Sequence, residues 1–197
     1  MKSFSFPGRA RLLAVLSAAA IATVGSVLAA SPAHAADAAQ HCVVVLPSAQ
    51  VVHCFDTFDE MTRYLQDIGA SFGPSKDAAA APPGSGSLAA RSVAPATGGL
   101  KVLSIEYDLP GWDKFGATDT FLGASACSTT TTDVDYQVPD YSAYSFNQRI
   151  SSFKVYNNCW ARHYDLINFG GFAVGYQGSE FVINLSIDND TSSERWS

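Results

Sequence analysis

Six residues, Asp188-Asn189-Asp190-Thr191-Ser192-Ser193, repeat the pattern of six residues 41 positions earlier, Asn147-Gln148-Arg149-Ile150-Ser151-Ser152. Both read as Asn or Asp, a polar residue, two variable residues and then Ser-Ser. An internal repeat constrains the fold strongly, because each copy is one supersecondary unit and neighbouring copies share a core. Side-chain oxygens this dense also suit a hard cation such as calcium. The same residue types build plain β-turns, since Asn, Asp and Ser bond their own backbone. The pattern therefore carries a metal reading and a turn reading.

From Leu100 onward the chain is rich in Tyr, Phe, Trp, Val, Ile and Thr, with turn residues every 8–12 positions and few helical periods. That is the pattern of a β-sandwich or barrel. Residues 36–70 read differently. Val43-Val44-Val45-Leu46 is a buried strand, Pro47-Ser48-Ala49-Gln50 a turn, and Val51-Val52-His53-Cys54 the returning strand. Thr57-Phe58-Asp59-Glu60 has the form of a capping box. It opens a helix with Met61, Tyr64 and Leu65 on one face, stopping near Gly69. Residues 71–98 are dominated by Pro, Ala, Gly and Ser without an apolar period, the composition of a flexible or extended linker. The expected organisation is a leader over 1–35, a small hairpin-plus-helix unit over 36–70, a linker over 71–98 and an all-β domain over 99–197.

The leader is read from Lys2, Arg9 and Arg11, the apolar stretch Leu12 to Ala30, and the small-residue site Ala33-His34-Ala35. These are the parts of a secretory signal peptide, so the expected location is extracellular. Removing it takes three of the 12 basic residues and none of the 18 acidic ones, leaving a net charge of −9. A chain this acidic is repelled by phosphate backbones and anionic lipid, which sets nucleic acid and membrane surfaces aside as partners and favours cations. Four cysteines in a secreted chain read as two disulfides. Of three possible connectivities the local one, Cys42–Cys54 with Cys127–Cys159, is the expectation. Each bridge would stabilise by about 3–4 kcal/mol in the loop-entropy description.

The segment Tyr164-Asp165-Leu166-Ile167-Asn168-Phe169-Gly170-Gly171 precedes the second Ser-Ser motif. It reads as an aromatic, four residues, an aromatic, one residue and Gly. With Asp188 to Ser193 it resembles one Greek-key unit of the βγ-crystallin family. Tyr107 and Trp112 repeat the aromatic spacing and start a first unit, where Lys114 stands at the Gly position and Gly116 follows two residues later. Tyr107 and Tyr164 are 57 apart while the Ser-Ser motifs are 41 apart, so 16 extra residues belong to the first unit, with Ser128 to Asp135 the obvious polar loop. The resemblance covers residues 99–197. It implies a two-motif sandwich, and it implies calcium sites that each draw oxygens from both loops. Carried over, the ligands are Asn147, the backbone of Arg149, Ser151, Asp188, Asp190 and Ser192. Gln148 departs from the usual Asn or Asp at the second position, which weakens one site. Ser152 and Ser193 are expected to serve the fold. Few carboxylates on exposed loops imply weak binding, roughly 10⁻⁴ M or weaker. Residues 36–70 also resemble the front of secreted actinobacterial proteins that carry this tail. Secreted members of the superfamily include metalloproteinase inhibitors and a killer toxin, which makes an extracellular peptidase the alternative partner and the loop 128–145 its contact.

Other residues carry less. His41, Cys42, His53 and Cys54 have the types of a zinc site, but secretion favours the disulfide. His163 stands beside Tyr164 and Asp165 without a G-x-S-x-G turn or H-E-x-x-H helix to support catalysis, and reads as structural. Asp133 and Asp135 sit in a Thr-rich loop and read as solvated. The expectation is a monomeric, non-enzymatic secreted module that binds calcium.

Overall fold

A computed structural model describes residues 40–46, 50–76 and 99–197. The expected leader over 1–35, the turn at 47–49 and residues 77–98 of the expected linker lie outside the described residues. Among the described residues, eight strands form two sheets. The strands are β1 (His41–Val45), β2 (Gln50–Phe55), β3 (Lys101–Tyr107), β4 (Thr118–Gly123), β5 (Tyr136–Val138), β6 (Ser152–Val155), β7 (Ala161–Tyr164) and β8 (Ser193–Trp196). One sheet has the order β2-β1-β4-β3-β6 and the other β5-β8-β7.

Two Greek-key units account for residues 101–197. In the first, β3 pairs antiparallel with β4 on one side and with β6 on the other, while β5 crosses to pair with β8. In the second, β7 pairs with β8. It also bridges Ala161 to Gln177 and Tyr164 to Ala173, while Glu180 crosses back to bridge Phe153. Each unit thus lends its third strand to the other unit's sheet. Neither sheet is complete without both units, which is the physical form of the repeat read in the sequence.

The sandwich core lies between the sheets and includes Leu103, Phe121, Val138, Tyr141, Ile150, Phe153, Ala161 and Trp196. A second apolar cluster covers the outer face of the larger sheet. There Val43, Val102, Ile105, Tyr107 and Leu122 pack on Phe58, Met61 and Leu65 of helix α1 (Phe58–Asp67). Covering both faces explains why β3 and β4 are buried almost throughout, with no alternation toward solvent. Helix α1 starts where the sequence places it. Thr57 takes an extended conformation and its hydroxyl accepts from the Glu60 amide at 3.2 Å. It stops at Gly69, whose φ of 69° suits a residue without Cβ.

The described part of residues 36–70, expected as a small unit of its own, joins the larger sheet. β1 pairs parallel with β4, from His41 opposite Thr118 to Val45 opposite Leu122, so the hairpin widens the larger sheet. The cause is legible in β1 itself: Val43 faces the helix cluster, while Val44 and Leu46 face the sandwich core. A strand apolar on both sides has to be covered on both. The start of the expected linker is also part of the fold. Ser71 bridges Lys101, Phe72 packs edge-on to Tyr156 at 5.2 Å, and the Ser179 amide donates to the Lys76 carbonyl. Asn157 holds this segment by donating from Nδ2 to the Ser71 and Val102 carbonyls at 2.8 and 2.9 Å.

Both expected disulfides are present, Cys42–Cys54 across the first hairpin and Cys127–Cys159. The zinc reading of His41, Cys42, His53 and Cys54 falls with the first bridge, because its sulfurs are bonded to each other. Among the described residues no helix is long and apolar enough to cross a membrane.

Candidate functional site

The two Ser-Ser loops meet, and they do so with near two-fold regularity. Gln148 donates its amide to the Thr191 carbonyl at 2.8 Å, and Asn189 donates its amide to the Ile150 carbonyl at 3.0 Å. Both donors have left-handed backbone, φ 57° and 54°. Ser151 donates its amide to the Tyr107 carbonyl at 2.9 Å, and Ser192 donates its amide to the Tyr164 carbonyl at 2.8 Å. In these four backbone bonds the donors are 41 residues apart in each pair, and the hairpin acceptors Tyr107 and Tyr164 are 57 apart.

The last serine of each motif holds a hairpin. Ser152 Oγ donates to the Leu109 carbonyl at 2.6 Å and accepts from the Trp112 amide at 3.1 Å. Ser193 Oγ donates to the Leu166 carbonyl at 2.6 Å and accepts from the Phe169 amide at 3.0 Å. The hairpins match in another way. A Cβ on Gly171 would fall 1.8 Å from Asp165 Oδ1, and one on Gly116 would fall 2.0 Å from Asp108 Oδ1. Gly116, and not the residue at position 114, is therefore the counterpart of Gly171. Two of the 16 extra residues of the first unit lie in its hairpin. Its long stretch, 124–135, joins β4 to β5, where the second unit has only Gly178 and Ser179 between the bridges at Gln177 and Glu180.

The six residues carried over as ligands lie as follows. Ser151 is buried and its hydroxyl donates to Asp188 Oδ1 at 2.6 Å, joining the fifth position of the first motif to the first position of the second. Asn147 and Ser192 are the counterpart pair by the same symmetry. Ser192 is buried, and Asn147 Oδ1 is buried without a hydrogen-bond partner. Asp190 is exposed and accepts from Gln148 Nε2 at 3.3 Å. The Arg149 side chain points away from this junction, pairing with Asp108 at 2.8 Å and reaching the Ser145 carbonyl. That leaves only its backbone for a role in the loop.

The polar loop after Cys127 is braced. The Ser128 amide donates to Asp135 Oδ2 at 2.8 Å, and Ser197 Oγ donates to the Thr130 carbonyl at 2.9 Å and also reaches the Asp133 carbonyl.

A different group escaped the sequence reading. His163, read there as an isolated structural residue, is fully buried with Glu106 and Glu194. Tyr141 donates its hydroxyl to Glu194 Oε2, and Asp119 lies opposite Glu106 in the strand register. Burial, reinforced by the charge of Glu106, pushes the Glu194 and Asp119 carboxyls well above the usual carboxylate range, with Arg149 opposing it at Asp119. Burial, then the charge of Glu194, raises the Tyr141 phenol. The signal available in the sequence was a charged residue inside each of three β-patterns; the sequence does not say that these strands face one another.

No protein-family model matches the chain, and no curated protein matches it. Among solved structures, a βγ-crystallin domain from Flavobacterium johnsoniae aligns at 16% identity over 48% of this chain and 93% of its own, with a TM-score of 0.35. A βγ-crystallin domain from Clostridium beijerinckii aligns at 14% identity over 48% of this chain and 95% of its own, with a TM-score of 0.36.

Proposed function

We propose that this chain is a secreted, non-enzymatic protein of βγ-crystallin type that binds calcium weakly where its two Ser-Ser loops meet, and that calcium stabilises it. One observation carries the reading: Ser151 Oγ and Asp188 Oδ1, from different loops and 37 residues apart in the chain, lie 2.6 Å from each other. Oxygens from both motifs therefore converge without any rearrangement of the backbone. Calcium takes six to eight oxygens at about 2.3–2.6 Å. Ser151 and Asp188 supply two, loop carbonyls are close by, and water completes the shell. The counterpart pair, Ser192 and Asn147, offers an amide in place of the carboxylate and makes the weaker site. Binding has to break the Ser151–Asp188 hydrogen bond, which together with the low carboxylate count keeps affinity near the roughly 10⁻⁴–10⁻³ M of extracellular modules. The two disulfides fit an oxidising compartment.

The test is calorimetric calcium titration of the disulfide-bonded full chain, paired with thermal melts in calcium and in chelator. Saturable heat and a higher melting temperature in calcium are expected, and Asp188→Asn should weaken the stronger site. Absence of both heat and shift would reduce the Ser-Ser loops to turns.

A second reading, inhibition of an extracellular peptidase, is favoured by the bracing of residues 128–135 next to the Cys127–Cys159 bridge. Rigid loops lose little entropy on binding. Assays against secreted metallo- and serine peptidases test it, and inhibition that survives replacement of residues 129–132 by Gly-Ser would overturn the role of this loop.

A further inference from the structure

The centre of the sandwich contains a polar group that an apolar core does not require. Glu106 on β3, His163 on β7 and Glu194 on β8 are each 0% exposed. One potential ligand atom from each lies within 4.8 Å of the other two. His163 Nε2 is 3.4 Å from Glu106 Oε2 and 3.4 Å from Glu194 Oε1. Good N–H···O bonds cluster at about 2.9–3.0 Å, and one ring nitrogen has a single proton to share between two carboxylates. The same spacing suits a shared cation. Ligands bonded at about 2.0–2.1 Å in tetrahedral geometry stand about 3.3 Å apart.

Charge points the same way. No lysine or arginine is buried among the described residues, and Asp119, opposite Glu106, adds a third buried carboxyl group. Glu106 Oε1 and Asp119 Oδ2 are buried with no hydrogen-bond partner. Buried carboxylates left unpaired are strongly unfavourable, and a dication balances the charge of the two that would ligate it. His163 Nδ1 also lacks a partner, in either tautomer, and so does not discriminate.

We propose that Glu106 Oε2, His163 Nε2 and Glu194 Oε1 bind one divalent transition-metal ion as a buried centre that ties the two sheets together. One imidazole and two carboxylates make a donor set suited to zinc(II). Calcium, which needs six to eight oxygens, does not fit it. The centre is separate from the Ser-Ser loops and stands whether or not those bind calcium.

The experiment refolds the disulfide-bonded full chain from guanidinium, with and without zinc(II) or cobalt(II), in excess calcium throughout so that the loops contribute equally. The expected result is one metal ion per chain by elemental analysis after desalting. It should come with a higher melting temperature than the metal-free refold and, with cobalt(II), the intense visible absorption of a four-coordinate ion. His163→Gln should abolish the absorption. Should that variant fail to fold, Glu106→Gln, which keeps the side-chain volume, provides the same check. Metal-free protein from every refold, with one melting temperature throughout, would overturn the proposal and assign a shared proton to the cluster. A cobalt spectrum unchanged in both variants would overturn it equally.

Discussion

Gln148 and Asn189 occupy the same place in the two loops, each with left-handed backbone and each donating its amide to the opposite loop. Asn tolerates this conformation because its short side chain can bond locally, whereas a left-handed backbone costs most residues about 1–2 kcal/mol. Gln148→Asn is therefore expected to stabilise the chain by about 0.5–1 kcal/mol, since it recovers part of that cost. The reverse change, Asn189→Gln, should destabilise by a similar amount. Chemical denaturation with an unchanged slope checks both, and a neutral Gln148→Asn would show that the 3.3 Å contact of the Gln148 amide with Asp190 matters more than the backbone.

Ser152 and Ser193 each satisfy one carbonyl and one amide of a folded hairpin. Replacing either by Ala leaves two backbone groups without that partner, at a cost of about 2–3 kcal/mol. The two losses should be nearly equal, because the geometry is. Equilibrium unfolding of the two variants measures this, and a loss below a few tenths of a kcal/mol for either would mean that water replaces the hydroxyl.

Gly116 and Gly171 both lie against an Asp side chain, but only Gly171 also has a positive φ, of 70°. Gly116→Ala carries an overpacking cost of about 1–3 kcal/mol. Gly171→Ala adds about 1–2 kcal/mol for the backbone. The expected order of melting temperatures is wild type, then Gly116→Ala, then Gly171→Ala. Inversion of the last two would show that the Asp108 hairpin is the less yielding one.

His41 is buried, with Nδ1 3.0 Å from Thr118 Oγ1 and its ring edge-on to Phe58 at 5.7 Å. Burial lowers its pKa below the ordinary value, opposed by the charge of Asp108. Lys114 Nζ lies over the same Phe58 ring, 5.0 Å from its centroid, and Arg149 pairs with Asp108. The unfolded chain then binds a proton at a pH where the folded chain does not. The contribution of His41 to stability is complete above its unfolded value of about 6.5 and declines as pH falls below it, toward the lowered folded value. Melting temperatures between about pH 7.5 and 5.5 should fall more steeply in the wild type than in His41→Gln. Parallel curves would mean that the imidazole reaches water.

Helix α1 was readable because its signals are local: the Thr57 cap, the apolar face of Met61 and Leu65, and Gly69 at its end. The two Greek-key units were readable because they repeat, so that Ser151 and Ser192 mark equivalent positions. Lys114 misled the alignment of the hairpins, because spacing counted along the chain cannot see a two-residue insertion. Only the contact of Gly116 with Asp108 corrects it.

By itself, then, the sequence determined the β class, the repeat and the helix, all of which depend on neighbours near in the chain or on similarity between copies, while the choice among three cysteine pairings came from the fold. Tertiary structure alone decided that β1 joins β4, that residues 71–76 pack onto the sheet, and that Glu106, His163 and Glu194 share one buried space. The physical reason is that these pairings close loops across tens of residues. Which strand meets which is set by how all the apolar faces can be covered at once, a property of the whole chain that no local window contains.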